Sequence, residues 1–240
     1  NFAVQFQEKQ EMRHAMMFLS DYGIANHLAV RIFEEYGDKM YEILKTNPYK
    51  LAEDIHGIGF RIADNIAARA GIAPDSEHRI GAAILYTLQQ SVSAGHVYLP
   101  KEVLCRNTGQ MLGMPPEYIG DHLMNLVMDK KLMIRVVNDE EHVYLSTYYF
   151  MERNTAAMLH NLDLKFPAEE AVLTRRIASL EEETKIALDE LQKSAVKQAL
   201  TEGVLIVTGG PGTGKTSIHH RMSRCVEAAE MESVLAAPPG

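Results

Sequence analysis

The sequence predicts a mainly α-helical, multidomain chain whose closing stretch turns into the start of an α/β layer. Three observations predict it. Apolar residues recur at helical spacing through most of the chain, a Gly-Ile-small motif occurs twice near the N-terminus, and a glycine-rich loop follows an apolar run near the C-terminus.

The 240 residues are 46% hydrophobic and 23% charged with no tryptophan, a composition that supports about one to three folded cores. A net charge of −8 and a pI of about 5.7 argue against a protein that coats nucleic acid by bulk positive charge, though not against local phosphate contacts. No apolar run approaches the roughly 20 residues of a membrane span, and the N-terminus lacks a basic-then-apolar secretion signal. The expectation is a cytoplasmic protein without a membrane partner. Cys105 and Cys225 are far apart and have no metal-ligand spacing, so they are expected to be reduced structural thiols. The ten histidines are scattered, and the adjacent His219 and His220 point to different helix faces, which argues for surface residues rather than a metal site. Met124 and Met128 are expected to fill the core at helical spacing.

The repeat lies in the expected first domain, residues 1–75. Gly23-Ile-Ala-Asn-His-Leu-Ala-Val-Arg-Ile32 aligns with Gly57-Ile-Gly-Phe-Arg-Ile-Ala-Asp-Asn-Ile66, an offset of 57 − 23 = 34 positions. Each copy sits between an apolar helix and an amphipathic one, which predicts two helix-hairpin-helix units. Small residues in such a turn leave backbone N–H groups open at the start of the second helix, where a DNA phosphate can be held without any base being read. Gly23, Ile24, Ala25, Gly57, Ile58, Gly59 and Arg61 are therefore the candidate DNA-contacting residues, with Ile24 and Ile58 as anchors to the core. Arg61 and Arg69 are candidate phosphate cations. The bland alternative is a helical bundle whose turns merely need glycine.

Residues 76–150 predict a winged-helix-like domain. A helix carries Ile80, Ala83, Ile84 and Leu88; an extended piece covers residues 96–99; Pro100 starts a second helix; and a third runs from about Pro116 to Lys130 with Ile119, Leu123, Leu126 and Val127 on one face. Two strands, 132–137 and 142–145, follow, joined through Asn138 to Glu141. The third helix carries Glu117, Asp121, Asp129, Lys130 and Lys131 and the wing tip is acidic, which favours a scaffold or protein-contact role over DNA binding.

Residues 151–185 predict a helical linker with Glu181-Glu182-Glu183 on a solvated face, and 186–240 predict the nucleotide domain. There, Val204 to Val207 predicts a strand ahead of Gly209-Gly210-Pro211-Gly212-Thr213-Gly214-Lys215-Thr216, which fits the phosphate-cradling loop at every fixed position. Glycines turn N–H groups toward phosphate oxygens, Lys215 supplies charge to the outer phosphates, and Thr216 offers a hydroxyl to magnesium. The expected cofactors are ATP and Mg²⁺. Gln192, ahead of the strand, can both donate to and accept from an adenine edge, or can be an ordinary surface glutamine.

Leu191-Gln192 with Ala195-Val196, the loop from Val207 to Thr216, and Val234-Leu-Ala-Ala-Pro238 together resemble the opening motifs of RecD-like superfamily 1 DNA helicases. The hairpin repeat upstream narrows the resemblance to the long bacterial form, similar to the exodeoxyribonuclease V alpha subunit. The resemblance implies ATP-driven 5′ to 3′ translocation on single-stranded DNA in repair or recombination. It also implies that residues 186–240 begin a RecA-like ATPase domain, that DNA, single-stranded or at a junction, is bound without sequence preference, and that Gln192 contacts adenine. By the same resemblance Gly209 to Ser217 line the nucleotide, with Lys215 and Thr216 as the catalytic pair and Thr216 on magnesium. Pro239-Gly240 departs from the family's Thr-Gly-Arg, and Ser217-Ile-His-His220 is less apolar than usual.

The chain starts at Asn1 and stops at Gly240 without the Asp-Glu strand, arginine finger or second motor domain of such enzymes. It reads as a fragment that would not turn nucleotide over by itself. Two readings from other classes are a hairpin DNA-binding protein with a regulatory nucleotide site and a phosphate-loop phosphoryl transferase.

Overall fold

The computed structural model describes residues 2–185, 187–209 and 215–236. The chain divides into two compact units, Asn1–Glu152 and Arg153–Gly240.

The first unit opens with five helices, α1 (Phe2–Asp21), α2 (Asn26–Tyr36), α3 (Lys39–Thr46), α4 (Lys50–Asp54) and α5 (Phe60–Arg69). Their apolar faces close over one core that includes Leu19, Ile24, Leu28, Ile32, Met40, Leu44, Leu51, Ile58 and Ile66. Each of these side chains stabilises the bundle by about 1.5–3 kcal/mol through its burial. The two predicted hairpins are the α1–α2 and α4–α5 connections.

Helix α6 (Glu77–Ser93) starts at Ser76, whose hydroxyl caps the Arg79 N–H at 3.3 Å. It belongs to two cores at once. Ala83 packs into the five-helix core and Tyr86 against it, whereas Ile80, Ile84 and Leu88 join a second core with Leu104, Ile119, Leu123, Leu126, Leu132 and Val143. That sharing explains why the predicted boundary near residue 75 is a continuous packing surface within the first unit.

Strand β1 (Tyr98–Pro100), helices α7 (Lys101–Leu112), α8 (Pro116–Asp121) and α9 (Leu123–Met128), and strands β2 (Leu132–Val137) and β3 (Glu140–Leu145) complete the second core. The sheet is antiparallel in the order β1-β3-β2. Three details differ from the sequence expectation. The helix expected from Pro116 to Lys130 is split at His122, whose N–H bonds to Ile119 in a tight i to i−3 turn and whose Nδ1 lies 2.8 Å from the Tyr118 carbonyl oxygen. The β2–β3 turn is tighter than expected, because Asn138 and Asp139 both take positive φ, the requirement of a two-residue turn, and so pair Val137 with Glu140. Met124 and Met128 are not core: they are 61% and 75% exposed, since α9 turns Leu123 and Leu126 inward instead.

An ion pair joins the hairpin helices to α6. Arg79 on α6 grips Asp64 on α5 with Nε at 2.8 Å and Nη2 at 3.1 Å, while the Tyr49 hydroxyl donates to the same carboxylate at 2.6 Å. Burial works to raise the Asp64 pKa, but the Arg79 and Tyr49 hydrogen bonds and the Arg79 charge outweigh it and hold the carboxyl below its ordinary value. Burial and the same carboxylate push the Tyr49 hydroxyl upward.

Helix α10 (Ser146–Leu162) crosses the division, and the second unit contains α11 (Glu170–Thr184), α12 (Glu190–Thr201) and α13 (Lys215–Glu227) around Leu173, Ile177, Leu180, Val196, Leu200, Ile218 and Met222. The strand expected over 204–207 does not form, nor does one at 234–236. Ile206 is 82% and Val234 96% exposed. A parallel strand exists only through its neighbours and covered faces, and among the described residues neither run has a laddered partner. The Glu181–Glu183 run is also not simply solvated: Glu181 accepts from the Leu188 N–H at 2.7 Å, and Glu183 pairs with Arg224.

Among the described residues no helix is long and apolar enough to cross a membrane, and no group of His, Cys, Asp or Glu could hold a metal ion. Cys105 and Cys225 are free and buried, and burial raises both thiols.

Because a carboxyl with a depressed pKa stabilises the fold above its unfolded pKa and loses that contribution as the pH falls through the folded value, Arg79→Ala should flatten the acid limb of the stability profile below about pH 4. At neutral pH the same substitution should cost about 2 kcal/mol in urea unfolding. An unchanged acid limb would show that the Asp64 pair carries no stability.

Candidate nucleic-acid and nucleotide sites

Both hairpins are built alike. In the first, Gly23 (φ 74°) ends α1 by donating to the Ser20 carbonyl at 2.8 Å, and Ile24 donates back to Leu19 at 3.2 Å while its side chain is buried. In the second, Gly57 (φ 98°) is followed by Ile58, which is also buried and donates to Ile55 at 3.1 Å. Ala25 and Gly59 then occupy equivalent extended positions as N-caps of α2 and α5. Each carbonyl accepts from the third and fourth residues ahead: Leu28 and Ala29 for Ala25, Ile62 and Ala63 for Gly59.

The caps leave donors open. Neither Ala25 nor Gly59 has a side chain able to accept a hydrogen bond, and among the described residues the N–H groups of Asn26, His27, Phe60 and Arg61 donate to no backbone carbonyl. Helices α6 and α12, by contrast, are closed by Ser76 and by an Asp189 capping box. Four unsatisfied N–H groups at two helix starts can accept anions, since they combine free donors with the positive end of the helix dipole. Phe60, the first residue of α5, is fixed between the Tyr49 and Tyr86 rings at centroid distances of 5.9 and 5.4 Å.

The two turns also accept side chains across the repeat, an arrangement that no local pattern in the sequence signals. Arg31 on α2 donates from Nη1 to the His56 carbonyl at 2.8 Å, beside Gly57. Arg69 at the end of α5 lies against Gly23. Arg61 stays exposed at the start of α5.

In the second unit, Gly209 is described, whereas the predicted phosphate contacts Gly210, Pro211, Gly212, Thr213 and Gly214 lie outside the described residues. Lys215, Thr216 and Ser217 open α13, a helix of 13 residues. A lysine and a threonine at a helix start supply charge and a hard oxygen donor of the kind Mg²⁺ accepts. Gln192 is the third residue of α12, where its N–H donates to Asp189 Oδ1 at 2.8 Å and its Oε1 accepts from the Asp189 N–H at 3.3 Å. The capping box engages that oxygen through the Asp189 N–H. His219 and His220 are exposed, as the sequence suggests.

The family described as the "ATP-dependent RecD2 DNA helicase HHH domain" matches residues 8–98, a span that contains both hairpins. A family described as "AAA domain" matches residues 192–240, which contain the phosphate loop. A curated protein, the ATP-dependent RecD2 DNA helicase of Deinococcus radiodurans, is 26% identical over 238 residues, covering 95% of this chain. The chain resembles the N-terminal and early motor region of a RecD-like helicase. It spans about a third, 33%, of that relative's length.

The hairpin geometry separates two glycines by their purpose. A Cβ at Gly57 would make only ordinary contact with Leu28, at 3.5 Å, but the positive φ would be strained, so Gly57→Ala should cost about 1–2 kcal/mol. A Cβ at Gly59 would meet nothing within 4 Å, and φ there is −96°, so Gly59→Ala should cost less than about 1 kcal/mol. Chemical denaturation of the two variants checks the order, and equal losses would refute it.

Proposed function

We propose that this chain is the DNA-gripping and nucleotide-loop portion of an ATP-dependent DNA helicase. The observation that carries the reading is the presence on one chain of two hairpins with open N–H donors and a complete phosphate-loop sequence. The hairpins at Gly23-Ile24-Ala25 and Gly57-Ile58-Gly59, with Arg61, hold sugar-phosphate backbone of single-stranded or junction DNA without reading bases. The loop from Gly209 to Ser217 holds ATP, with Lys215 on the outer phosphates and Thr216 on Mg²⁺, and Gln192 faces the adenine through its amide nitrogen.

In this reading residues 1–75 form the hairpin domain, 76–150 a winged-helix-like scaffold, 151–185 a linker and 186–240 the beginning of a RecA-like ATPase domain. The β1-β3-β2 sheet order with α6, α7 and the broken α8–α9 helix supports the winged-helix assignment. Translocation 5′ to 3′, a place in DNA repair or recombination and a cytoplasmic location follow from the resemblance to RecD-like helicases. The Deinococcus radiodurans relative, named as an ATP-dependent DNA helicase, supports the helicase chemistry.

ATP hydrolysis by the full-length protein should be stimulated by single-stranded DNA and should fall by on the order of a hundredfold or more in Lys215→Ala. Turnover that ignores DNA would sink the reading. Gly59→Val, which places a branched side chain at the open start of α5, should weaken DNA binding while the melting temperature stays close to that of the parent. If strand separation survives Lys215→Ala but not Gly59→Val, the nucleotide site is regulatory instead.

A further inference from the structure

The first hairpin has no cation of its own. Its turn and helix start read Gly23-Ile24-Ala25-Asn26, and the only arginine on α2, Arg31, reaches away to the second hairpin. The structure nevertheless brings one to it. Arg69, from the last turn of α5, lies against the Gly23 turn, with Nη1 2.7 Å and Cζ 2.9 Å from the point where a Cβ on Gly23 would sit. Only a residue without a side chain leaves room for that guanidinium. Its Nε donates to Asn65 Oδ1 at 3.2 Å, and among the described residues it pairs with no carboxylate.

Arg61, Asn65 and Arg69 are spaced i, i+4, i+8 on α5 and all three are exposed, so they form one ridge. At 1.5 Å per residue the ridge is about 12 Å long. One end stands at the open start of the second hairpin's helix and the other at the first hairpin. Arg31 is not equivalent. It shares a notch of about 240 Å³ with Glu34, Glu35, Asp54, Ile55 and His56, where three carboxylates repel a phosphate, and its hydrogen bond to the His56 carbonyl makes it a brace.

We propose that Arg69 is the phosphate-binding cation of the first hairpin, so that this contact is a composite of both repeats and the single helix α5 supplies charge to both. The inference rests on the DNA-backbone reading above and assigns its missing cation. A guanidinium held at Nε by Asn65 keeps its two terminal nitrogens for a bidentate phosphate contact.

The test measures DNA affinity of the full chain against salt concentration for two unrelated sequences, with a melting temperature for every variant. Arg69→Gln should weaken both sequences alike and flatten the slope of log K against log salt by about 0.9 for duplex or 0.7 for single-stranded DNA, the release expected for one phosphate. Arg69→Lys should keep the slope while losing some affinity. Should Arg69→Gln fold poorly, Asn65→Asp, which sets a carboxylate on the same guanidinium without touching Gly23, should give the flattening in its place. Arg106→Gln, an exposed arginine on α7, should leave the slope alone; an equal effect there would mean that only net charge matters and would overturn the proposal. An unchanged slope in Arg69→Gln and Asn65→Asp, with binding weakened by Gly59→Val, overturns the composite contact and leaves the hairpin reading standing. Unchanged binding in all of them overturns both.

Discussion

The first unit depends on two buried isoleucines. Ile24 and Ile58 each follow a glycine with positive φ, and each drops its side chain into the same five-helix core. Once the side chain is committed inward, the next residue must be extended and the following helix must start at the surface with its first N–H groups facing out. Since both anchors end in one close-packed core, the two open helix starts are held at a fixed separation. The two open helix starts thus keep one spacing, and neither turn could set that spacing alone.

Helix α6 extends the same logic. Its Ala83 face closes the hairpin core, its Ile80, Ile84 and Leu88 face closes the next, and Arg79 reaches Asp64 on the helix that carries the second hairpin. A force felt at α5 therefore passes into the three-stranded sheet region through packed side chains and a doubly hydrogen-bonded ion pair. In an acidic chain the few arginines placed in this way carry particular weight, since Arg79 and Arg31 are committed to structure and Arg61 and Arg69 are left at the surface.

What could be read in the sequence was what is local. The helical periodicity, the glycine-isoleucine turns, the proline starts of α7 and α8, and the apolar face of Ile119, Leu123 and Leu126 all depend on neighbours within a few positions, and the structure contains them. The capping role of Gln192 was also there to be read, in the Asp189-x-x-Gln192 spacing. The features that sequence reading missed depend on distant partners. The run at 204–207 is apolar, but no apolar run becomes a strand without a neighbour to bond. Met124 and Met128 keep helical spacing yet stay outside, because periodicity gives a face and not what covers it. The reach of Arg69 to Gly23 spans most of the hairpin domain and leaves no trace in either copy of the repeat.

The second unit has a seam of a different kind. Just past α10, the Gly203 N–H donates to the Leu164 carbonyl at 2.7 Å and the Phe166 N–H to Thr201 at 2.8 Å, with Lys165 paired to Glu202 across them. A Cβ on Gly203 would run into the Leu162 carbonyl. Residues 201–203 are thus stitched to the segment just past α10, like a hem sewn down at one edge. An insertion anywhere from Leu162 to Phe166 would slacken that thread.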